Sequence, residues 1–410
     1  MPHGPRRRAS VQIALVLAAL IIALACISVP TSAPPTAVQS ATATVPTHDD
    51  TPAAPPPTES DIPDVVFYGG TVVTMDEDLP RAQAVAIQGD RIVAVGNDAG
   101  ILALCGPETR EVGLDGRTLM PGFVDAHTHL LNDANWWGVD LEEAQQMALQ
   151  HGITTLANMY VTPEFLARTQ EMADSGQLRV RTSLYLNYTT NCGDVLGDWY
   201  KQHPPTREPG EMLRIGGVKL FTDGGSCGSP AFTYEHPFHG HGDLWFTQDE
   251  LNAAIADIHT AGYQAAIHAL GDRAVEQALN AVEFALNGQP NTPRHRIEHN
   301  ATVRPDMLPR YSEIGVVALI FGPYPCGIEN SSLPEHQAWE WPWQDLLSAN
   351  PGVHFAWHSD TPWVGPVPPL LHLYSMVTPY EVGSDGVTIC DTPPWLTRKT
   401  LTVEQALPMM

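Results

Sequence analysis

The sequence predicts an α/β fold: a TIM (β/α)8 barrel with a small flanking β-sandwich domain. Three observations carry this. From residue 119 onward, eight strand-like runs alternate with helical patterns. Before residue 119, only strand and turn signals occur over a short segment. The alternative, a doubly wound sheet, is disfavoured because no Gly-x-Gly-x-x-Gly follows any of the eight runs.

The chain has 410 residues, enough for one large domain and a smaller one. Its formal charge of -25 argues against a nucleic-acid partner, because phosphate contacts need a basic surface. Only three lysines occur, Lys201, Lys219 and Lys399, so a lysine inside an apolar run is conspicuous. The cysteines at 26, 105, 192, 227, 326 and 390 show no Cys-x-x-Cys spacing. All but Cys26 are expected to be buried or free thiols.

Residues 1–29 read as a signal peptide or membrane anchor: Arg6-Arg7-Arg8, then an apolar run from Val11 to Ala25. Ala23-Leu24-Ala25-Cys26 loosely resembles a lipobox, so lipidation at Cys26 and an uncleaved anchor are the two readings. Either exports the remainder to the cell envelope or beyond, with membrane contact only through this segment. Residues 30–63, rich in Pro, Thr, Ala and Ser, form a tether that cannot bury enough surface to order itself.

Residues 64–118 are expected to form a small antiparallel β unit. Strand pairs are predicted around Gly69-Gly70, Gly89-Asp90 and Asp115-Gly116. No helix follows Gly69-Gly70, which makes it a turn and not a phosphate loop.

The barrel, 119–410, takes its strands from 119–129, 152–159, 178–186, 215–223, 263–270, 294–299, 315–324 and 353–360. Thr247-Gln-Asp-Glu250 is a capping-box start for a helix with Leu251, Ala254, Ile255 and Ile258 on its inner face. Val275, Leu279, Val282 and Leu286 mark the inner face of a second helix.

Barrel active sites lie at the C-terminal ends of the strands. There the sequence offers His127 and His129 on run 1, Lys219 on run 4, His268 on run 5, His299 on run 6 and Asp360 on run 8. His127 and His129, two apart, leave one face of a strand together. Each of these residues alone has an ordinary structural reading. Together, metal-capable side chains at five strand ends form the inventory of a two-metal hydrolase. Lys219 sits in an apolar strand where a charged amine is costly. A neutral or carbamylated lysine between two cations removes that cost.

Five segments carry a resemblance: Pro121-Gly-Phe-Val-Asp-Ala-His-Thr-His129, Gly217-Val-Lys-Leu-Phe-Thr-Asp-Gly224, Ile267-His-Ala-Leu-Gly-Asp272, Arg294-His-Arg-Ile-Glu-His299 and Ser359-Asp-Thr-Pro362. The chain resembles the amidohydrolase superfamily in its amidohydrolase 3 branch, which includes N-substituted formamide deformylase-like proteins. The resemblance implies a divalent-metal enzyme, with two zinc ions, cleaving an amide- or formamide-type bond in a small molecule. It implies His127 and His129 on one metal, carbamylated Lys219 as the bridge, His268 and His299 on the second metal, and Asp360 at the nucleophilic water. Asp125, Asp223, Asp272 and Glu298 neighbour these residues and are candidates to orient the imidazoles, or equally to cap helices or form ion pairs.

Three departures from the branch stand out. The sequence stops at Met410, before the strands with which relatives complete the flanking sheet, so that domain is expected to be incomplete. The span from His129 to Lys219 is short, which predicts an open pocket, and run 7 lacks a polar pair common there. Residues 224–245 are a candidate lid, with His236, His239 and His241 expected to be loop polars. Trp136, Trp137, Trp339, Trp341 and Trp343 either line a pocket or, as expected for most, pack loops. The rival functions are ester or lactone hydrolysis or deamination at the same metals, or a catalytically impaired tethered binding protein. Oligomerisation is left open.

Overall fold

Two glycines divide the N-terminal strands between two sheets. In the computed structural model, which describes residues 62–206, 208, 210–321, 333–383 and 385–410, β1 (Val65–Tyr68) runs into β2 (Thr71–Val73) through Gly69-Gly70. Then come β3 (Arg81–Ala82), β4 (Ala84–Gln88), β5 (Arg91–Gly96), the short helix α1 (Asp98–Leu102), β6 (Arg110–Gly113) and β7 (Thr118–Leu119). The leader, most of the tether, Cys26, Cys326 and the end of run 7 lie outside the described residues.

One of the three predicted turns joins a local strand pair. β4 and β5 form an antiparallel hairpin around Gly89-Asp90, with Gln88 opposite Arg91. The pairs expected at Gly69-Gly70 and Asp115-Gly116 are instead crossings between a four-stranded sheet, β5-β4-β1-β6, and a three-stranded sheet, β3-β2-β7. β6 lies parallel to β1, and β7 parallel to β2, so the unit is mixed and not antiparallel. The reason is local. A side chain at Gly70 would sit 2.3 Å from the Arg117 carbonyl, so the two crossings pack against each other. They are zipped by the amides of Leu114, to Tyr68 O at 2.7 Å, and Gly116, to Gly69 O at 2.9 Å. Val72, Val85 and Leu114 fill an apolar cluster at this unit.

Eight parallel strands follow. They are β8 (Phe123–Thr128), β9 (Ile153–Val161), β10 (Arg181–Asn187), β11 (Leu213–Phe221), β12 (Gln264–Ala269), β13 (Arg296–His299), β14 (Val317–Phe321) and β15 (Phe355–His358). Their spatial order is their sequence order, as a (β/α)8 barrel requires. The seam between β8 and β15 has no full ladder. Single bonds close it: Asp360 N to His127 O at 3.0 Å, His129 N to Thr361 O at 2.8 Å and Ser359 N to Asp125 Oδ1 at 3.0 Å.

Helices α2 (Leu141–Gln150), α3 (Pro163–Asp174), α4 (Gln248–Thr260), α5 (Asp272–Leu286), α6 (Arg310–Ile314), α7 (Trp343–Ala349) and α8 (Pro369–Val377) alternate with the strands. The chain then adds an antiparallel pair, β16 (Tyr380–Val382) and β17 (Ile389–Asp391), and α9 (Val403–Ala406). The capping box opens α4: Thr247 accepts from Glu250 N while Glu250 accepts from Thr247 N. Both helical faces read from the sequence are buried. Each such aliphatic side chain contributes roughly 1.5–3 kcal/mol. A second core cluster joins Leu156, Trp343 and Trp357 to Leu396, Leu401 and Met410. Among the described residues, no helix is long and apolar enough to cross a membrane.

Candidate metal centre

The C-terminal ends of the strands bring five of the six predicted residues, His127, His129, His268, His299 and Asp360, to the lining of one cavity, while Lys219 is fully buried. His127 is the penultimate residue of β8 and His129 follows the strand; Lys219 lies on β11, His268 on β12, His299 ends β13 and Asp360 follows β15. All six are buried. Ligand atoms of His127, His129 and Asp360 lie within 4.8 Å of one another, spacing that suits one ion. Asp360 Oδ1 is 3.4 Å from Nε2 of both His127 and His129, and its Oδ2 is 3.9 Å from His299 Nδ1. The ring of His299 stands 4.8 Å from that of His127 and 4.7 Å from that of His268.

The backbone is bent to achieve this. His299, Asn300 and Asp360 all adopt positive φ, between 52° and 73°. A non-glycine residue there costs on the order of 1–3 kcal/mol and persists only when its surroundings hold it. Asn300 is held by Tyr311, whose hydroxyl donates to it at 2.5 Å, and by its own donation to Ile297 O and Leu319 O. Asp360 is held by its amide bond to β8.

Three nitrogens of these six residues have no hydrogen-bond partner, one of them His129 Nδ1. Lys219 Nζ is fully buried with no hydrogen bond and lies 4.6 Å from the centre of the Phe221 ring. His299 Nε2 is likewise without a partner. Burial lowers the Lys219 amine to about 8, against the pull of Glu298 and Asp360. Burial, followed by the charge on Lys219, lowers His268 to about 3, and His299 is held well below its ordinary range by burial and His268. Burial opposes ionisation of Asp360, but His127 and His129 outweigh it and keep the carboxyl well below its usual range.

The four neighbouring carboxylates have different placements. Glu298 lies 2.6 Å from His127 Nδ1 and is gripped by Arg296 through Nε at 2.6 Å and Nη2 at 2.8 Å. Burial would raise its carboxyl, but Arg296 holds it well below the usual range. His127 therefore donates from Nδ1 and turns Nε2 to the cavity. Asp223 sits 3.5 Å from His268 Nε2 and accepts from the amides of Ala231, Leu270 and Gly271. Burial pushes it up to about 7. Asp125 spends its oxygens on Ser359 across the β8–β15 seam. Asp272 accepts from Thr233 and Arg304, fixing the loop before α4.

Several site residues escaped sequence reasoning. Arg296 had a readable signal, since it shares a strand face with Glu298 at i, i+2. His358 had none. It is buried, its ring lies 4.9 Å from that of His127, and neither nitrogen has a partner. The expectation of buried or free thiols is corrected at three positions. Cys192 and Cys227 form a disulfide linking the loops after β10 and β11, and Cys390 is also disulfide-bonded. Chain spacing of 35 residues hides a contact made only when neighbouring strands align.

Above the floor opens a cavity of about 1010 Å³. The loop at 224–245 forms one wall with Phe232, Phe238, His236 and His239; Trp341 and Trp363 form another part. His236 stacks on Phe232 at 4.6 Å, and burial lowers it to about 4. Of the tryptophans singled out earlier, Trp341 lines the cavity, Trp343 is in the core and Trp136 is exposed against Trp363.

A sequence model of the amidohydrolase family matches residues 140–410. The chain belongs to the amidohydrolase family. The match includes Lys219, His268, His299 and Asp360 and begins after His127 and His129. Among curated relatives, Protein LONG AFTER FAR-RED 3 of Arabidopsis thaliana is 21% identical, over 63% of this chain and 68% of its own. N-substituted formamide deformylase of Arthrobacter pascens is 36% identical over 67 residues, 16% of this chain and 12% of its own. The match to this deformylase thus spans only a small part of its length. A metal-dependent hydrolase of Pyrococcus furiosus shares the fold, with a TM-score of 0.67, 18% identity and coverage of 84% of this chain and 92% of that one. Family membership makes the chain an amidohydrolase-type hydrolase.

Proposed function

We propose that this protein hydrolyses a non-peptide carbon–nitrogen bond, of amide, formamide or cyclic amide type, in a small molecule. The observation that supports this most is the pairing of a compact His127–His129–Asp360 group with two buried atoms that lack hydrogen-bond partners, His299 Nε2 on the cavity lining and Lys219 Nζ on β11. Buried polar atoms are normally satisfied, and this donor set fits divalent cations. His127 and His129 would hold one zinc, His268 and His299 a second, with Lys219, carbamylated, between them. Bound there, the ions would acidify a water and polarise the scissile carbonyl.

The chain's own residues do the rest. Asp360, ionised and in reach of both β8 imidazoles, takes the water's proton and returns it to the leaving nitrogen. Glu298 and Arg296 fix the tautomer and tilt of His127.

Elemental analysis of the purified protein, with hydrolysis of N-formyl amines, N-acyl amines and matching esters, tests the reading. Bound divalent metal and amide hydrolysis that both fall in His127→Ala are expected. Protein free of metal, with activity unchanged in that variant, would overturn it. Esters cleaved with amides untouched would move the reading to ester hydrolysis. Export of the chain is also proposed, supported by the basic-then-apolar start of the sequence and by the Cys192–Cys227 disulfide, which suits an oxidising compartment. Recovery of the protein in a reducing cytoplasm with both thiols free would oppose it.

A further inference from the structure

The turn that leaves β11 carries a cross-link and touches a candidate ligand. His268 Nε2 lies 3.1 Å from the Gly224 carbonyl. A carbonyl oxygen only accepts, so Nε2 carries the hydrogen and Nδ1 keeps the lone pair for an ion. Asp223 Oδ1 stands farther off, at 3.5 Å, and accepts from Leu270 N. The Gly224 carbonyl therefore selects the tautomer of His268.

Two adjacent glycines place that carbonyl. Gly224 and Gly225 impose little backbone preference of their own, and Gly225 has φ 152°. The turn folds back on itself. Gly225 N donates to Gly228 O at 3.2 Å, and a Cβ on Gly224 would meet the Gly228 carbonyl carbon at 2.4 Å. Gly225, Ser226 and Gly228 are exposed, so burial does little to hold them. Cys227 ties the turn to the loop after β10 through Cys192. That loop is firm at its base: Thr190 N donates to Asp194 O at 2.8 Å, and Phe221 N donates to Thr189 Oγ1 at 3.0 Å. Asn191 Nδ2 adds a longer bond to Ser226 Oγ, at 3.3 Å.

We infer that the Cys192–Cys227 disulfide is a positioning element of the metal centre: it holds the Gly224 carbonyl against His268, and opening it weakens the ion that His268 and His299 hold. The inference rests on the proposed metal reading and adds a remote determinant of one of its two sites. Cys192 is exposed, so a reductant reaches the bond. The state of the bond thus couples metal content to the redox poise of the surroundings. Loss of an outer contact of this kind costs about 10–100-fold in metal affinity.

Two measurements on the full chain test this. The first is calorimetric titration of metal-free protein with zinc, native and Cys192→Ser/Cys227→Ser. One ion should bind about 10–100-fold more weakly in the variant, and the other at native affinity. The second is NMR of isotope-labelled histidine in metal-free protein, with the His268 signal assigned by its absence in His268→Gln. The native protein should show the Nε2–H tautomer, and the variant a mixture with Nδ1–H. The same signal in native protein treated with a phosphine covers a variant that does not fold. There the phosphine takes its oxygen from water, and the two sulfurs take the hydrogens. An Nε2–H tautomer unchanged when the bond is open would overturn the inference. So would native affinity for both ions in the variant, or equal weakening of both, which marks general loosening. If the native protein takes up no zinc, the proposed reaction falls and the tautomer alone decides: a mixture on opening the bond sustains the inference, and a fixed Nε2–H sinks it.

Discussion

Strand β13 carries a buried histidine at each end, and the two have opposite fates. His295, just before its first residue, is complete within the protein. Its Nδ1 accepts from Ala265 N at 3.0 Å, its Nε2 lies 2.9 Å from His259 Nδ1, and Asn291 bonds its backbone on both sides. His299, the last residue, keeps a bare Nε2 on the cavity lining, and the buried amine of Lys219 also lacks a hydrogen-bond partner. Both are pulled far from protonation by burial. The difference lies in what the protein leaves undone. At the bottom of the barrel the imidazole is structural and satisfied. At the mouth it is held in a left-handed backbone with its nitrogen free for something from outside. Burial and a lowered affinity for protons therefore do not identify a functional histidine; an unspent nitrogen among other unspent donors does.

Substitutions at the two ends should separate cleanly. Asp360→Asn, at the mouth, is expected to lower kcat by roughly 10²–10⁴-fold, the usual worth of a proton-transfer group. Steady-state kinetics on metal-loaded enzyme read this, and the melting temperature should change little. Glu298→Gln should weaken metal binding by roughly 10–100-fold by loosening the His127 ring. A metal titration followed by calorimetry would show it, and unchanged affinity would remove Glu298 from that role. At the bottom, His295→Gln should cost about 1–3 kcal/mol in denaturant unfolding, because it leaves the Ala265 amide without its acceptor. Its kcat should stay at the native value. A fall in kcat without loss of stability would abolish the distinction between the two ends.

The same histidine also sets a pH dependence. His295 has a folded pKa of about 3 against an ordinary 6.5. Between those values the unfolded chain binds a proton that the folded chain refuses. Stability thus declines as pH falls below 6.5 and the loss levels off below 3. The slope from this one group is at most about 1.4 kcal/mol per pH unit. Denaturation midpoints measured from pH 7 to pH 4 should show a shallower fall in His295→Gln than in the native chain. Parallel curves would mean that other groups carry the acid limb.

Much of this architecture was legible from residue patterns. The alternation of apolar runs with amphipathic helices marked all eight barrel strands, because strands covered on both faces are apolar along their length. The Thr247–Glu250 cap was readable because capping is a local, four-residue interaction. The strand-end positions of the six candidate ligands were legible because strand ends in a barrel share one mouth. Glu298, Asp125 and Asp272 looked equivalent in sequence. Only the fold separated the one that grips an imidazole from those that clamp a strand seam or a loop.

The sequence by itself determined the order of the strands, the identity of the candidate ligands and the acidic balance of the chain. These are local or additive properties, set by side-chain period and composition. Tertiary structure alone decided that β1 and β2 part into different sheets, that Cys192 meets Cys227, that His295 is satisfied while His299 is not, and that Asp133 and Glu340 line one cavity. Each of these depends on pairs far apart in the chain, whose distance is set by barrel closure and loop packing and leaves no periodic trace in the residues themselves.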